Sequence, residues 1–141
     1  MNIQEKSQQI TENFALFEDW MDKYNYLIEL GRELKPMDES LRQEKYLIKG
    51  CQARVWLVPE FRDGRIWFQA DSDALITKGI VALLVTLLSG QPPAEVASAE
   101  LDVIQQIGLH EHLSQTRSNG LLSMIKQMKL YGLAYAAAKK Q

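Results

Sequence analysis

The sequence predicts an α+β fold, a small antiparallel sheet packed by helices. Three observations predict it. Both ends of the chain carry apolar residues at helical spacing. The middle carries alternating strand-like runs around an Asp63-Gly64 pair. The order along the chain is helices, strands, helices.

Residues 3–34 read as helical. Ile3, Ile10, Phe14 and Phe17 follow one another at spacings of 7, 4 and 3, which keeps them on one face. A second run holds Trp20, Tyr24, Leu27, Ile28 and Leu34, weakened by Gly31. Thr11 and Asp19 are the candidate turn or cap residues between the two runs. Lys35-Pro36-Met37 ends the pattern, because proline lacks an amide donor and restricts the residue before it. Residues 38–45 form a polar connection. Tyr46–Lys49 is expected to be a short strand leading into Gly50 and Cys51, Ala53–Val58 a second strand and Arg65–Ala70 its returning partner. Asp63-Gly64 fits a two-residue hairpin turn, whose central positions both need positive φ. Alternation places Ile66 and Phe68 on one face and Trp67 and Gln69 on the other.

Asp71, Ser72 and Asp73 precede an apolar helix expected over Ala74–Leu88. Their oxygens can cap its free amides, and the carboxylates suit the helix dipole. Gly90 ends that helix, and Pro92 and Pro93 open the next segment. One or two short helices fill residues 93–107. A last helix begins between Thr116 and Asn119 and runs to about Ala138, with Leu121, Met124, Ile125, Met128, Tyr131 and Tyr135 as its buried stripe. No repeat, low-complexity tract or linker divides the chain, so residues 1–141 are expected to form a single domain with its own core.

Composition narrows the function classes. The chain is 46% hydrophobic and 24% charged, as in a soluble globular protein. A net charge of -2 supplies no positive field to recruit nucleic acid. Met1–Ser7 is polar and lacks the apolar region of a secretory signal. The most apolar stretch, Ile80–Leu88, falls far short of the ~20 residues a membrane helix needs. A cytoplasmic protein that neither enters a membrane nor binds nucleic acid is the expectation. The single cysteine, Cys51, cannot form an internal disulfide or build a metal site from thiolates alone.

Few residues can carry chemistry. Cys51 follows Gly50 where an extended run turns, a position from which a thiol can be presented to another protein. Glycine before it widens the conformations open to the loop, and Lys49 and Arg54 are near enough in sequence to favour a thiolate. From position alone an inert buried thiol fits as well. Asp71 and Asp73 are explained by a helix cap and have no further ligand at metal spacing. His110 and His112 lack the i, i+4 geometry of a zinc motif and read as polar turn residues, so no metal site is expected. Ser114–Gly120 holds capping residues for the last helix. Arg117 runs against the preference of cations for helix C-termini, which leaves it either solvated or engaged in a tertiary task such as steadying an anionic sulfur.

These residues resemble the SufE family, sulfur acceptors that work with cysteine desulfurases. The matching pieces are Trp20–Tyr24, Leu27-Ile28-Glu29-Leu30-Gly31, Gly50-Cys51-Gln52 with Val55-Trp56, and Asp71-Ser72-Asp73-Ala74 with Lys78-Gly79. Gly108-Leu109, His112-Leu113-Ser114, Arg117-Ser118 and Gly120-Leu121 complete them. Where the family often has proline, this chain has Gln115-Thr116. The resemblance implies a fold similar to SufE and to scaffold proteins of the IscU type. It implies that Cys51 takes persulfide sulfur from a SufS-like desulfurase, stimulates it and passes sulfur to an iron-sulfur scaffold. Pyridoxal phosphate belongs to the desulfurase, and this chain needs no cofactor. Gly50, Gln52 and Asp73 are the implied partner-binding residues, Arg117 is a candidate for the sulfur chemistry, and the chain is a monomer or homodimer. The Gly-Cys-Gln and Asp-Ser-Asp pieces favour the SufE branch. The alternatives are a CsdE-like acceptor serving another desulfurase, a regulator that carries no sulfur, and a cluster scaffold. A single thiol argues against the last.

Overall fold

In a computed structural model, which describes residues 1–139, the chain opens with two helices joined by a tight break. Helix α1, Ile3–Ala15, starts on a capping box. Asn2 Oδ1 accepts from the Glu5 amide at 2.8 Å, and the Glu5 carboxylate accepts from the Asn2 amide at 3.1 Å. Helix α2, Trp20–Glu33, is capped by Asp19, which accepts from the Asp22 amide at 2.9 Å. Thr11 is no break; it lies inside α1 and donates back to the Ser7 carbonyl at 2.9 Å. Ile10, Phe14 and Leu27 turn inward, and Phe14 meets the edge of Tyr26.

The connection that follows carries two short 3-10 turns, Glu39–Leu41 and Glu44–Tyr46. The expected strand Tyr46–Lys49 does not form. Tyr46 closes a 3-10 turn, and only Leu47 bridges to Trp56. Gly50, at φ +91°, swings the backbone away before a ladder can grow. The sheet proper is the hairpin of β1, Val55–Arg62, and β2, Arg65–Ser72, paired from Val55↔Ser72 to Arg62↔Arg65. Asp63 and Gly64 have φ of 55° and 75°, as a type I′ turn requires. The strands overrun their expected ends because the tight turn keeps both in register, and Pro59 is tolerated on the open edge. Ile66 and Phe68 are buried, as alternation requires.

Helix α3, Leu75–Leu88, is the centre of the molecule. It is apolar nearly all round, and Leu83, Leu84, Leu87 and Leu88 each expose 1% or less. β2 covers one side and α2 another. Helices α4, Pro93–Ala97, and α5, Val103–Gln106, lead through a 3-10 turn at His110–His112 to the long α6, Gln115–Lys139. Leu121, Met124 and Met128 of α6 are buried, while Ile125, Tyr131 and Tyr135 pack partly buried beside them. The described residues thus form helices around a small antiparallel sheet, the α+β class expected; Lys140 and Gln141 lie outside the described residues.

Backbones touch where α2 crosses α3. A Cβ placed on Gly79 would lie 2.3 Å from the Leu27 carbonyl oxygen, and one on Gly31 would lie 3.0 Å from the Gly79 nitrogen. The obstacle is main chain on both sides, so it cannot rotate away. Gly79→Ala should therefore lower stability by roughly 1–3 kcal/mol through forced separation of the two helices. Urea denaturation checks this, and a midpoint equal to wild type contradicts the packing described.

Candidate functional site

Cys51 sits in the loop Lys49–Arg54. The Ile48 amide closes its base by donating to the Val55 carbonyl at 2.9 Å. Gly50 has positive φ and presses on α6, since a Cβ there would come within 2.6 Å of Ser123 Oγ. The conformation favours glycine, and a side chain there would also force Ser123 to turn aside. The turn carries Cys51 across to α6, where its thiol donates to the Gly120 carbonyl at 3.5 Å. Gly120 is the matching device on the helix: a Cβ at that position would lie 3.4 Å from Cys51 Sγ.

The thiol lines a cleft of about 350 Å³ between the loop, the start of α3 and the start of α6. Gln52, Asp73 and Arg117 share its walls, and Thr77 and Met124 lie deeper. Of the residues singled out in the sequence, Cys51, Gln52, Asp73 and Arg117 are thus brought together, with Gly50 at the turn that presents the thiol. Gln52, Asp73 and Arg117 are exposed and Cys51 is half-buried.

The Asp71-Ser72-Asp73 run does not cap α3 as expected. β2 extends through Ser72, and Ala74 occupies the cap position without a side-chain bond. Ser72 reaches only the Ala74 amide, at 3.4 Å. Asp71 is buried and pairs with Arg42 at 2.5 Å and Lys78 at 3.4 Å, joining the strand to the 3-10 connection and to α3. Asp73 Oδ1 accepts from the Arg54 amide at 3.1 Å. Its carboxylate therefore anchors the outgoing root of the Cys51 loop.

Lys49 and Arg54 do not act as the sequence suggested. Burial pushes the Cys51 thiol above its ordinary pKa, and no neighbouring cation among the described residues offsets it. The resting thiol is protonated and donates to Gly120. Arg117 stands in the first turn of α6, where its amide donates to Ser114 Oγ at 3.2 Å and Ser114 caps the helix. Its guanidinium forms no ion pair among the described residues. His112 is more than a polar turn residue. It stacks on Trp20 at 3.8 Å, and its carbonyl accepts from the Tyr24 hydroxyl, so it ties α2 to the segment before α6. No group of three His, Cys, Asp or Glu suited to a metal occurs among the described residues. No helix there is long and apolar enough to cross a membrane.

Gly120 is the site residue that chemistry-based reading passes over, because a glycine has no reactive group. Its signal is positional: Thr116, Gly120 and Met124 recur at spacing four and so share one face of α6.

Because folding buries the protonated thiol, its contribution to stability is present below the unfolded pKa and is lost as pH rises through the folded one. Alkylation of the native protein by iodoacetamide should rise with pH along a curve displaced to higher pH than that of the urea-unfolded chain. Displacement to lower pH contradicts the resting state described.

The SufE family, described as an Fe-S metabolism associated domain, matches residues 8–132. An uncharacterised SufE-like protein of Rhizobium meliloti is 40% identical over 126 residues, covering 86% of this chain and 90% of its own. A SufE-like protein of Arabidopsis thaliana, named chloroplastic/mitochondrial, is 37% identical over 88% of this chain and 34% of its own. The solution structure of a hypothetical protein from Thermus thermophilus has the same fold, with a TM-score of 0.77 at 19% identity over 94% of this chain and 96% of its own. The matched span holds the Cys51 loop, the α3 start and the α6 start together, and the chain belongs to the SufE family, with a role in sulfur transfer for iron-sulfur metabolism.

Proposed function

We propose that Cys51 accepts sulfur from a SufS-like cysteine desulfurase, carries it as a persulfide, stimulates the desulfurase by doing so, and delivers it to an iron-sulfur scaffold. The observation that carries this reading is the placement of the only thiol: half-buried on a loop turned by Gly50, in a cleft rimmed by Asp73 and Arg117.

The chemistry is thiol exchange. Cys51 loses its proton and its thiolate attacks the outer sulfur of the partner's persulfide. A new S–S bond forms on Cys51, the partner's S–S bond breaks, and the partner's cysteine leaves as a thiolate. Pyridoxal phosphate, which serves to release sulfur from free cysteine, stays with the desulfurase. This chain supplies the acceptor sulfur and the surface around it.

The resting geometry sets what docking has to change. A thiol held protonated against Gly120 is a poor nucleophile, and so is protected while alone. The desulfurase must draw the loop off α6 and provide surroundings in which the thiolate survives. Gly50 supplies the hinge and Asp73 holds the far root of the loop. Arg117, without a carboxylate partner among the described residues, stands where it can steady the anionic sulfur or the displaced loop. Gly50, Gln52 and Asp73 belong to the docking surface. A transient interface needs on the order of 1,200 Å², so these segments act beside the thiol rather than the thiol alone.

Cys51→Ser tests the reading. It should remain folded, bind the desulfurase, and neither stimulate it nor relay sulfur. A folded serine variant that still relays sulfur sinks the proposal. Arg117→Ala should slow transfer about tenfold at saturating partner, as loss of a charge-assisted hydrogen bond would. Its affinity should change less, which stopped-flow transfer beside calorimetric binding can separate.

A further inference from the structure

The Cys51 loop separates two clefts, and α6 lines both. The second is larger, about 490 Å³, and is lined by the segment Lys45–Lys49 that leads into the loop. Lys45, Lys49 and Lys126 stand on its walls with Ser123 and Tyr131, and among the described residues no carboxylate lines it. All three lysines are exposed, and none has an acidic partner among the described residues. The floor is apolar, made by Leu47, Ile48 and Leu57. A single-sign cleft of this kind is unexpected in a chain whose net charge is -2.

We infer that this cleft binds an acidic segment of the desulfurase, one that carries carboxylates for the lysines and an apolar side chain for the floor, while Cys51 is engaged on the other side of the same loop. The inference rests on the sulfur-acceptor reading for the identity of the partner. Continuity of surface supports it. Lys49 lines the cleft and directly precedes Gly50, and Ser123 lines it while meeting Gly50 across α6. An occupant of the cleft therefore contacts Lys49 and Ser123, the two neighbours of the Gly50 hinge. The exposed ammonium groups keep most of their hydration, which suits an extended peptide contacting several of them and steering encounter through charge. A site built for one small anion would enclose its donors instead.

The test measures binding of the full-length chain to the desulfurase by calorimetry, at low and at physiological salt. Lys45→Glu/Lys126→Glu should bind at least tenfold more weakly at low salt and lose most of the salt dependence of wild type. Lys45→Gln/Lys126→Gln should fall between the two, a grading that misfolding would not produce. Wild-type affinity and salt dependence in the charge-reversed protein overturn the inference and leave sulfur carriage standing. Tight binding of wild type without sulfur on Cys51 defeats sulfur carriage alone. Saturable binding of inorganic phosphate to the isolated protein, lost in the charge-reversed variant, would overturn the peptide in favour of a small-anion site.

Discussion

Contact between the backbones of α2 and α3, at Leu27 and Gly79, fixes the frame in which the thiol sits. Main chain meets main chain there, with the Leu27 side chain beside it, so the separation of the two helices is closely set. α3 in turn places the elements around the thiol. Its apolar surface is buried under α2, β2 and α6, and its first residues form a wall of the thiol cleft. The elements around Cys51 are held by packing on α3, and the loop itself is held by a few polar contacts. That division suits a carrier, whose scaffold has to persist while one segment moves.

The polar contacts have distinct tasks. Asp71 binds strand, connection and helix together through Arg42 and Lys78, and it is buried. Asp73, two residues on and exposed, fastens only the root of the Cys51 loop. Gly120 receives the thiol itself. Breaking the last of these frees the sulfur without disturbing the first. Burial favours the protonated thiol, and a protonated thiol exchanges poorly with stray disulfides and oxidants.

Much of this is legible in the sequence, and the parts that are not have physical causes. The α+β order, the Asp63-Gly64 hairpin and the stripe of α6 are local patterns, and local patterns survive folding. Family motifs bring Cys51, Asp73 and Arg117 forward as a group, and they do share one cleft. Tyr46–Lys49 fails as a strand because a glycine turn, set by tertiary contact with Ser123, cuts short a sequence with strand composition. Asp71 and Asp73 look like caps because their nearest amides in sequence are helical. Their real partners, Arg42 and Arg54, come from segments that only folding brings near. Lys49 and Arg54 flank the cysteine in sequence, yet burial alone sets the direction of its pKa shift. The basic cleft has no linear signature, since Lys45 and Lys126 are far apart along the chain.

Direct passage of sulfur from a desulfurase persulfide to Cys51 can be observed in a single turnover. Single-turnover transfer measures it most directly. A desulfurase preloaded with radiolabelled persulfide, freed of excess cysteine, is mixed with this protein, and the products are trapped and mapped by peptide. Direct transfer puts label stoichiometrically on the peptide containing Cys51, as the partner's cysteine loses it. Label that stays on the desulfurase in a formed complex, or leaves it as free sulfide, rules out Cys51 as the acceptor.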